Sequence, residues 1–382
     1  MKIPNVLEVI YAPHKAFKKL GDKPNYIGPA IIIIVLIIAN LGFAYTALSK
    51  TNLETYVPNG QNLDEWTQNS TLWTSNALVS VSNDSITGAI YGNESIAFSA
   101  DNTSTVWIQL NDISSVNCSI QGGFNQISFR LKQLTPQEKP QNVSVYLNST
   151  NAADFYYDLT NEYLNSTVGI WYNATLPLVS GWVPGGQDAD WSNITGFSLE
   201  FSWTQTSNVS LLVDGLFFHG IYEPWLDQVG IGYVLSFALT SVMQFVIAWV
   251  VFSGLLFLIG RTLGGKVVWR LILVAVGLIL ITLVVQAFIN LALYTTLPQL
   301  NYPFSLVGGV QGEGTAAYNI ILDQTATVRT ITSVAQFAIW VWTIALGAIL
   351  LRFTAELAWL RSILASVVAY IVTIIVSSFL FG

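Results

Sequence analysis

Five long apolar runs are the feature that most constrains this chain. They cover residues 27–48, 230–259, 271–294, 331–351 and 362–381, and none contains Asp, Glu, Lys, Arg or His. A helix that crosses the hydrocarbon core of a bilayer needs about 20 mostly apolar residues. Only 10% of the chain is charged, against about 25% in soluble domains. The sequence therefore predicts five transmembrane helices.

Basic residues indicate how these helices are oriented. Ten of the fifteen Lys and Arg residues lie in three segments, 1–26, 261–270 and 352–361. Short loops rich in Lys and Arg stay in the cytoplasm. We therefore expect a multi-pass protein of the cell membrane with a cytoplasmic N-terminus and an extracellular C-terminus. Helix 27–48 is expected to be an uncleaved signal anchor, because it is long and lacks a small-residue cleavage site.

Residues 49–228 have a different composition, rich in Asn, Ser, Thr, Trp and Tyr. Short alternating runs such as "SIAFSA", "ISFRLK" and "VSVYLN" are typical of strands. We expect an extracellular all-β sandwich here, followed over residues 229–382 by four transmembrane helices with an extracellular loop at 295–330. The predicted fold class is a membrane α-helical bundle with an inserted β-sandwich, a jelly roll.

The same insert contains every N-x-S/T sequon of the chain, more than its composition would produce by chance. Sequons mark N-glycosylation acceptors in exported domains, so we expect a glycoprotein. The eleven candidates are Asn69, Asn83, Asn93, Asn102, Asn117, Asn142, Asn148, Asn165, Asn173, Asn193 and Asn208.

The N-terminal stretch "IPNVLEVIYAPHKAFKKLGDKPNYIGPAIIII" and the turn "LIGRTLGGKVVWRLIL" resemble the Yip-type (Ypt/Rab-interacting) five-span membrane domain. Pro13, Phe17 and a second proline, Pro24 or Pro29, carry the first part of the resemblance. The large insert after the first span departs from that pattern. The resemblance implies a scaffold or adaptor that works through partners, such as an accessory subunit of an envelope complex. A glycosylated ectodomain on such a membrane domain resembles archaeal surface proteins.

A second resemblance lies in the insert. The segments "LPLVSGWVPGGQDADWSNITGFSLEF" and "SNVSLLVDGLFFHGIY" are similar to the closing strands of galactose-binding-like jelly rolls, which are common in carbohydrate-binding modules. The resemblance implies sugar contacts, with Tyr156, Tyr157 and Trp203 as candidate stacking residues. Asp188, Asp190 and Asp214 are candidate calcium ligands. Trp182 and Trp191 are expected in the sandwich core.

Five amide side chains interrupt the apolar runs: Asn40, Gln244, Gln286, Asn290 and Gln336. We expect them to form hydrogen bonds between helices. Ion-coupled transporters usually keep an ionisable group at membrane depth, and these runs have none. The amphipathic N-terminal segment, with Val6, Leu7, Ile10, Phe17 and Leu20 on one face, predicts an interfacial helix.

These observations favour a non-enzymatic membrane scaffold or adaptor of the cell surface that presents a glycosylated ectodomain to proteins or glycans. Two alternatives remain: a carbohydrate-binding receptor that assists uptake, and a transporter or channel component. No catalytic residue and no cofactor is expected beyond N-glycans, lipids and calcium at the aspartates. Expected partners are membrane lipids, other envelope proteins and glycans, and no nucleic acid.

Overall fold

The computed structural model describes residues 6–20, 24–60, 63–111, 113–149, 153–310 and 312–381. The chain divides into two compact units. The helical unit comprises Met1–Thr51, Pro224–Leu300 and Asp323–Gly382, and the sheet unit comprises Asn52–Glu223 and Asn301–Leu322.

Nine α-helices form in the described residues. They are α1 (Glu8–Tyr11), α2 (Pro13–Leu20), α3 (Ile27–Ser49), α4 (Thr160–Leu164), α5 (Trp225–Thr262), α6 (Trp269–Ile279), α7 (Ile281–Thr295), α8 (Glu313–Thr354) and α9 (Trp359–Phe381). Five helical stretches are long and apolar enough to cross a membrane, which confirms the predicted number and approximate positions of the apolar helices. Helix α8 begins at Glu313, so much of the segment 295–330, predicted as a loop, is helical.

The helices of the helical unit pack closely where a small residue on one helix meets large residues on others. Gly277 on α6 illustrates this, because a Cβ atom added there would lie 2.7 Å from Cγ of Pro29 on α3 and 2.8 Å from Nε1 of Trp249 on α5. The Trp249 indole N–H in turn donates a 2.6 Å hydrogen bond to the carbonyl oxygen of Leu273. Three helices therefore meet at a position that has no room for a side chain.

The N-terminal segment is less exposed than its pattern predicts. Phe17 on α2 is fully buried, and Val9, Ala16 and Leu20 lie with it in the core of the helical unit. Most of its apolar face therefore packs against the protein's own helices, whereas an interfacial helix would turn that face to lipid. Leu7, which was predicted on the same face, is 60% exposed. Lys19 lies on the polar side and forms a 2.6 Å ion pair with Glu8.

The regular structure of the sheet unit is mostly β-strand, and most of the strands join in one antiparallel network. The described strands are β1 (Thr51–Val57), β2 (Trp73–Ser75), β3 (Leu78–Ser82), β4 (Thr87–Gly88), β5 (Ser95–Leu110), β6 (Gln126–Thr135), β7 (Asn142–Asn148), β8 (Asp154–Asp158), β9 (Tyr172–Pro177), β10 (Val183–Pro184), β11 (Gly196–Pro224), β12 (Leu300–Tyr302) and β13 (Gly308–Gly309). This confirms the β-rich insert predicted from the alternating runs.

Two long strands, β5 and β11, run through both layers of this unit. The first half of β11 pairs with β7 and with the second half of β5, and β8 and β10 extend that layer. The second half of β11 pairs with β6 and with the first half of β5. Register shifts between Ser202 and Val209 separate the halves. Residues from both layers, including Phe98, Phe129, Val145 and Phe197, share one apolar core, as in a β-sandwich.

The outer side of the second layer is covered by a returning segment. Residues 301–310, here called the strap, lie against β1, β4 and β11: β13 pairs with β4, and the Phe304 ring packs on Phe217 with centroids 5.5 Å apart. Gly308 has φ 141°, and a Cβ there would come within 2.3 Å of the Gly88 Cα. Only glycine allows the two backbones to approach so closely.

Candidate functional site

The outer face of the first layer is open and carries an aromatic and polar row. Inward positions of β5 and β7, such as Ile108 and Val145, are fully buried, so by alternation Trp107 and Tyr146 point outward. Trp107 is 41% exposed. We call this surface the outer face; it is formed by outward residues of β5, β7, β8 and β11, with β10 at its edge.

Strand register places the outer-face residues beside one another. Tyr146 on β7 lies opposite Tyr156 on β8 and, on its other side, opposite Ser198 on β11, which in turn lies opposite Gln109 on β5. In the adjacent row of the same face, two residues further along β11, Glu200 is flanked by Ser144 and Trp107.

Aromatic rings mark two separate positions on this face. The rings of Tyr146 and Tyr156 have centroids 5.4 Å apart. Trp107 is displaced from Tyr146 by two strands and two residues, a separation of roughly 12 Å from standard sheet spacings. Between them lie Ser198, Gln109 and Glu200, which can donate to or accept from hydroxyl groups. The face therefore combines flat apolar rings with hydrogen-bonding groups.

Burial and a neighbouring charge keep the Tyr146 hydroxyl in its neutral form. Partial burial raises the pKa of Tyr146, and the negative charge of Glu200 raises it further. The phenol is therefore protonated at physiological pH and able both to donate and to accept a hydrogen bond.

The three predicted stacking residues lie in three different settings. Tyr156 belongs to the outer face. Tyr157 packs on Trp182, with centroids 5.3 Å apart, and its hydroxyl donates to Glu162 at 3.1 Å. Trp203 is 5% exposed, and its indole N–H donates to the Glu138 carbonyl oxygen at 3.1 Å. The expectation that Trp203 offers a sugar-stacking face is therefore corrected, because its ring is part of the core.

Trp182 and Trp191 pack together as expected of core residues, with Trp182 buried and Trp191 partly buried. Trp107 and Tyr146 were missed as stacking candidates. Their signal lay in the alternation within "STVWIQL" and "NVSVYLN", which assigns both side chains to the non-core side of their strands.

The structure does not bring the three candidate calcium ligands together as a metal cluster. Asp188 is exposed, and Asp190 accepts hydrogen bonds from the Ser192 backbone N–H at 2.8 Å and hydroxyl at 2.7 Å, which lower its pKa. Asp214 is fully buried on β11 and accepts from the backbone N–H groups of Ile86 and Gly215, both at 2.7 Å. Among the described residues, no three His, Cys, Asp or Glu side chains are grouped to hold a metal.

Most sequon asparagines lie on the surface of the sheet unit. Eight are exposed, and Asn148, Asn173 and Asn193 are partly buried. Asn142 and Asn148 stand at the two ends of β7, in the same alternation as Tyr146. Glycans attached there would flank the outer face.

A buried polar cluster lies on the opposite layer, at the strap. The fully buried Arg130 donates to both carboxylate oxygens of Glu313, at 3.0 and 3.2 Å, and to the Gly215 carbonyl oxygen at 3.2 Å. Nearby, Glu54 contacts Nδ1 of His219 at 2.6 Å and accepts the Phe304 N–H at 2.8 Å. Each of these side chains has at least one partner within the unit, which is typical of a structural contact, while Arg130 Nε and His219 Nε2 are buried without a hydrogen-bond partner among the described residues.

No protein-family model matches the chain, and no curated protein matches it. Among solved structures, it is similar to a family 11 carbohydrate-binding module from Clostridium thermocellum in complex with a mixed-linked β-1,3-1,4 tetrasaccharide (14% identity, 44% of this chain, 95% of that chain, TM-score 0.28).

Two further similar structures are TmCBM61 in complex with β-1,4-galactotriose (13% identity, 42% of this chain, 95% of that chain, TM-score 0.24) and a β-1,2-glucanase from Parabacteroides distasonis (11% identity, 44% of this chain, 22% of that chain, TM-score 0.29). At these TM-scores, the function has to be argued from the chain's own residues.

Proposed function

We propose that this chain is a membrane-anchored surface adaptor that binds glycans through the outer face of its β-sandwich. The observation that carries the proposal is the row formed by Tyr156, Tyr146, Ser198 and Gln109, with Trp107 and Glu200 beside it. Sugar rings present apolar C–H faces edged by hydroxyl groups. Aromatic rings with a polar handle suit those faces, and the serine, amide and carboxylate groups suit the hydroxyls.

The anchor is the five-helix membrane bundle. In this proposal the basic segments 1–26, 261–270 and 352–361 face the cytoplasm, and the jelly roll and its sequons face the exterior of the cell. The lengths and hydropathies of the five helices support insertion in the membrane, and the charge distribution supports this orientation. The chain is non-enzymatic in this proposal and works by linking surface glycans or partner proteins to the membrane.

The decisive experiment is a glycan-array screen of the purified full-length chain in a detergent without a sugar headgroup. We expect binding to neutral oligosaccharides that the double variant Trp107→Ala/Tyr146→Ala loses, because both rings point away from the core. The matched control is Ile120→Ala, which removes an exposed apolar side chain of the same unit, 85% accessible, in the loop between β5 and β6 and outside the strands that form the outer face.

A second arm deals with the sequons at the ends of β7. The array is repeated with Asn142→Gln/Asn148→Gln, because the protein's own glycans at these positions would compete for the outer face. Stronger binding by this variant would place the binding surface beside β7. Absence of binding by both the wild type and the Asn142→Gln/Asn148→Gln variant would refute the glycan-binding proposal. Equal binding by Trp107→Ala/Tyr146→Ala and the wild type would refute it as well.

A further inference from the structure

A cavity in the helical unit gathers amide groups from distant parts of the sequence. It has a volume of about 660 Å³, within the range of ligand pockets. Its walls come from α3, α5, α7, α8 and α9. All five amides that interrupt the apolar runs line it: Asn40, Gln244, Gln286, Asn290 and Gln336.

These amides are largely unpaired, contrary to the expectation of hydrogen bonds between helices. Asn40 Nδ2 donates to Ser241 Oγ at 2.9 Å, which fulfils the expectation for one pair of helices. Within the described part of the chain, no side-chain hydrogen bond joins the other four amides to a protein partner, and Asn290 Oδ1 is buried with none. Buried polar atoms without partners cost free energy, so the cavity has unused capacity to bind a polar ligand.

The lining specifies the charge of that ligand. The described lining residues contain no Asp, Glu, Lys, Arg or His. Phosphate and carboxylate groups are recognised by arginine and lysine, and cations by carboxylates, so neither is matched here. Amides both donate and accept hydrogen bonds, as hydroxyl groups do. Leu36, Phe245 and Leu280 supply apolar wall, and Trp340 supplies a ring.

The depth of the cavity can be read from helix positions. Asn290 lies five residues before the end of α7, about 8 Å from that end at 1.5 Å per residue. Ser378 lies three residues before the end of α9, about 5 Å by the same measure. Asn40 lies nine residues before the end of α3, about 14 Å by the same measure. The cavity thus extends from near one end of these helices toward their middle, the depth of a lipid headgroup and upper chain.

We propose that this cavity binds the neutral sugar headgroup of a membrane glycolipid, with the amides on its hydroxyl groups and the apolar wall on its upper chains. The proposal rests on the membrane insertion proposed above, but it does not depend on glycan binding by the outer face. The two sites lie in different units and respond to different variants.

The test uses the full-length chain in nanodiscs of zwitterionic phosphatidylcholine with a radiolabelled monoglucosyl diacylglycerol. We expect saturable binding, weakened about tenfold or more in Gln286→Leu/Asn290→Leu, which loses two hydrogen-bonding groups. The matched control is Gln228→Leu, which changes an exposed glutamine of the same unit outside the cavity. Competitors are the same diacylglycerol without sugar, phosphatidylglycerol and methyl glucoside.

Competition by the unlabelled glucosyl lipid, without equal competition by the other three compounds, would support the proposal. Equal competition by diacylglycerol or phosphatidylglycerol would overturn it, because the sugar would not be recognised. Competition by methyl glucoside at equal concentration would assign the cavity to a soluble sugar and also overturn it. Absence of saturable binding, or full binding by the double variant, would do the same.

Thermal stability supplies a second measurement. Because Asn290 Oδ1 has no partner, Asn290→Leu should melt at the same temperature as the wild type or higher without glycolipid, and should lose the stabilisation that glycolipid gives the wild type. A lower melting temperature without ligand would instead identify Asn290 as part of the helix packing and contradict the proposal.

Discussion

Arg130 and Glu313 are separated by 183 residues in the chain and form a two-pronged ion pair, with the guanidinium Nη2 3.0 and 3.2 Å from the two carboxylate oxygens. The arginine side chain is fully buried, and that of Glu313 is 20% exposed. Glu313 also accepts the Val310 backbone N–H at 2.9 Å. Through these contacts Glu313, the first residue of α8, joins the end of the strap at Val310 to Arg130 on β6.

Glu313→Gln should destabilise the sheet unit by about 3 kcal/mol, because removal of one partner leaves the buried arginine charge uncompensated. Arg130→Met should cost less than Glu313→Gln, since it removes the charge and keeps an apolar side chain of similar length. The double variant should be more stable than Glu313→Gln alone. Melting temperatures of the detergent-solubilised chain test the order; a Glu313→Gln variant that melts with the wild type would contradict it.

Asp214 should make stability depend on pH. Burial raises its pKa from 3.8 to about 7, against the opposing effect of the backbone N–H groups of Ile86 and Gly215. Between about pH 4 and 7 the folded state therefore binds a proton that the unfolded state has released, so stability should fall as pH rises through this window and level off above it.

Asp214→Asn should flatten that part of the pH profile of the melting temperature. The variant will melt at a lower temperature than the wild type at each pH, because the substitution disturbs the hydrogen-bond network of Asp214. Asp188→Asn, which changes an exposed aspartate, is the control and should keep the wild-type profile. An Asp214→Asn profile parallel to that of the wild type between pH 4 and 7 would refute the assignment. Asp64, whose pKa burial also raises, will leave part of the slope.

Local sequence pattern predicts the secondary-structure elements of this protein better than it predicts which elements pack against one another. Uncharged apolar runs long enough to cross a bilayer indicate helices, and runs of alternating apolar and polar residues indicate strands with one apolar face. Both classes of element were therefore predictable. The Arg130–Glu313 pair was not, because nothing near either residue specifies a partner so far along the chain. Likewise, each amide could be identified in its helix, but the cavity depends on which helices meet.

The candidate site shows the same limit. Alternation alone assigns Tyr146 and Trp107 to the outer sides of their strands. It does not show that β7 and β5 flank the same half of β11, a relation set by long-range pairing. Trp203 was misassigned for the opposite reason: its aromatic type suggested stacking, while its position in "FSLEFSW" continues the inward alternation of Phe197, Leu199 and Phe201.

Gly277→Ala should lower the melting temperature of the helical unit by several degrees, because its Cβ would collide with Pro29 and Trp249, and overpacking of a dense core typically costs about 1–3 kcal/mol. Gly254→Ala is the matched control: it lies within α5 and its added Cβ would meet no atom within 4 Å. That variant should melt with the wild type or slightly above, since alanine favours helices. Equal melting of both variants below the wild type would show that the contact at Gly277 is unimportant.

Sequon occupancy should differ between Asn173 and Asn117. The Asn173 side chain is partly buried and its Nδ2, the atom to which a glycan would attach, donates to Glu313 Oε1 at 2.5 Å beside Arg130. Asn117 is exposed, and its Oδ1 accepts from the backbone N–H of Ser119 at 2.9 Å, which leaves Nδ2 toward solvent. A sugar at Asn173 would displace Glu313 from the buried arginine, so we expect folded protein to carry glycan at Asn117 and not at Asn173. Glycopeptide mass spectrometry of the folded fraction measures both sites in one sample, and comparable occupancy at the two would contradict the packing around Glu313.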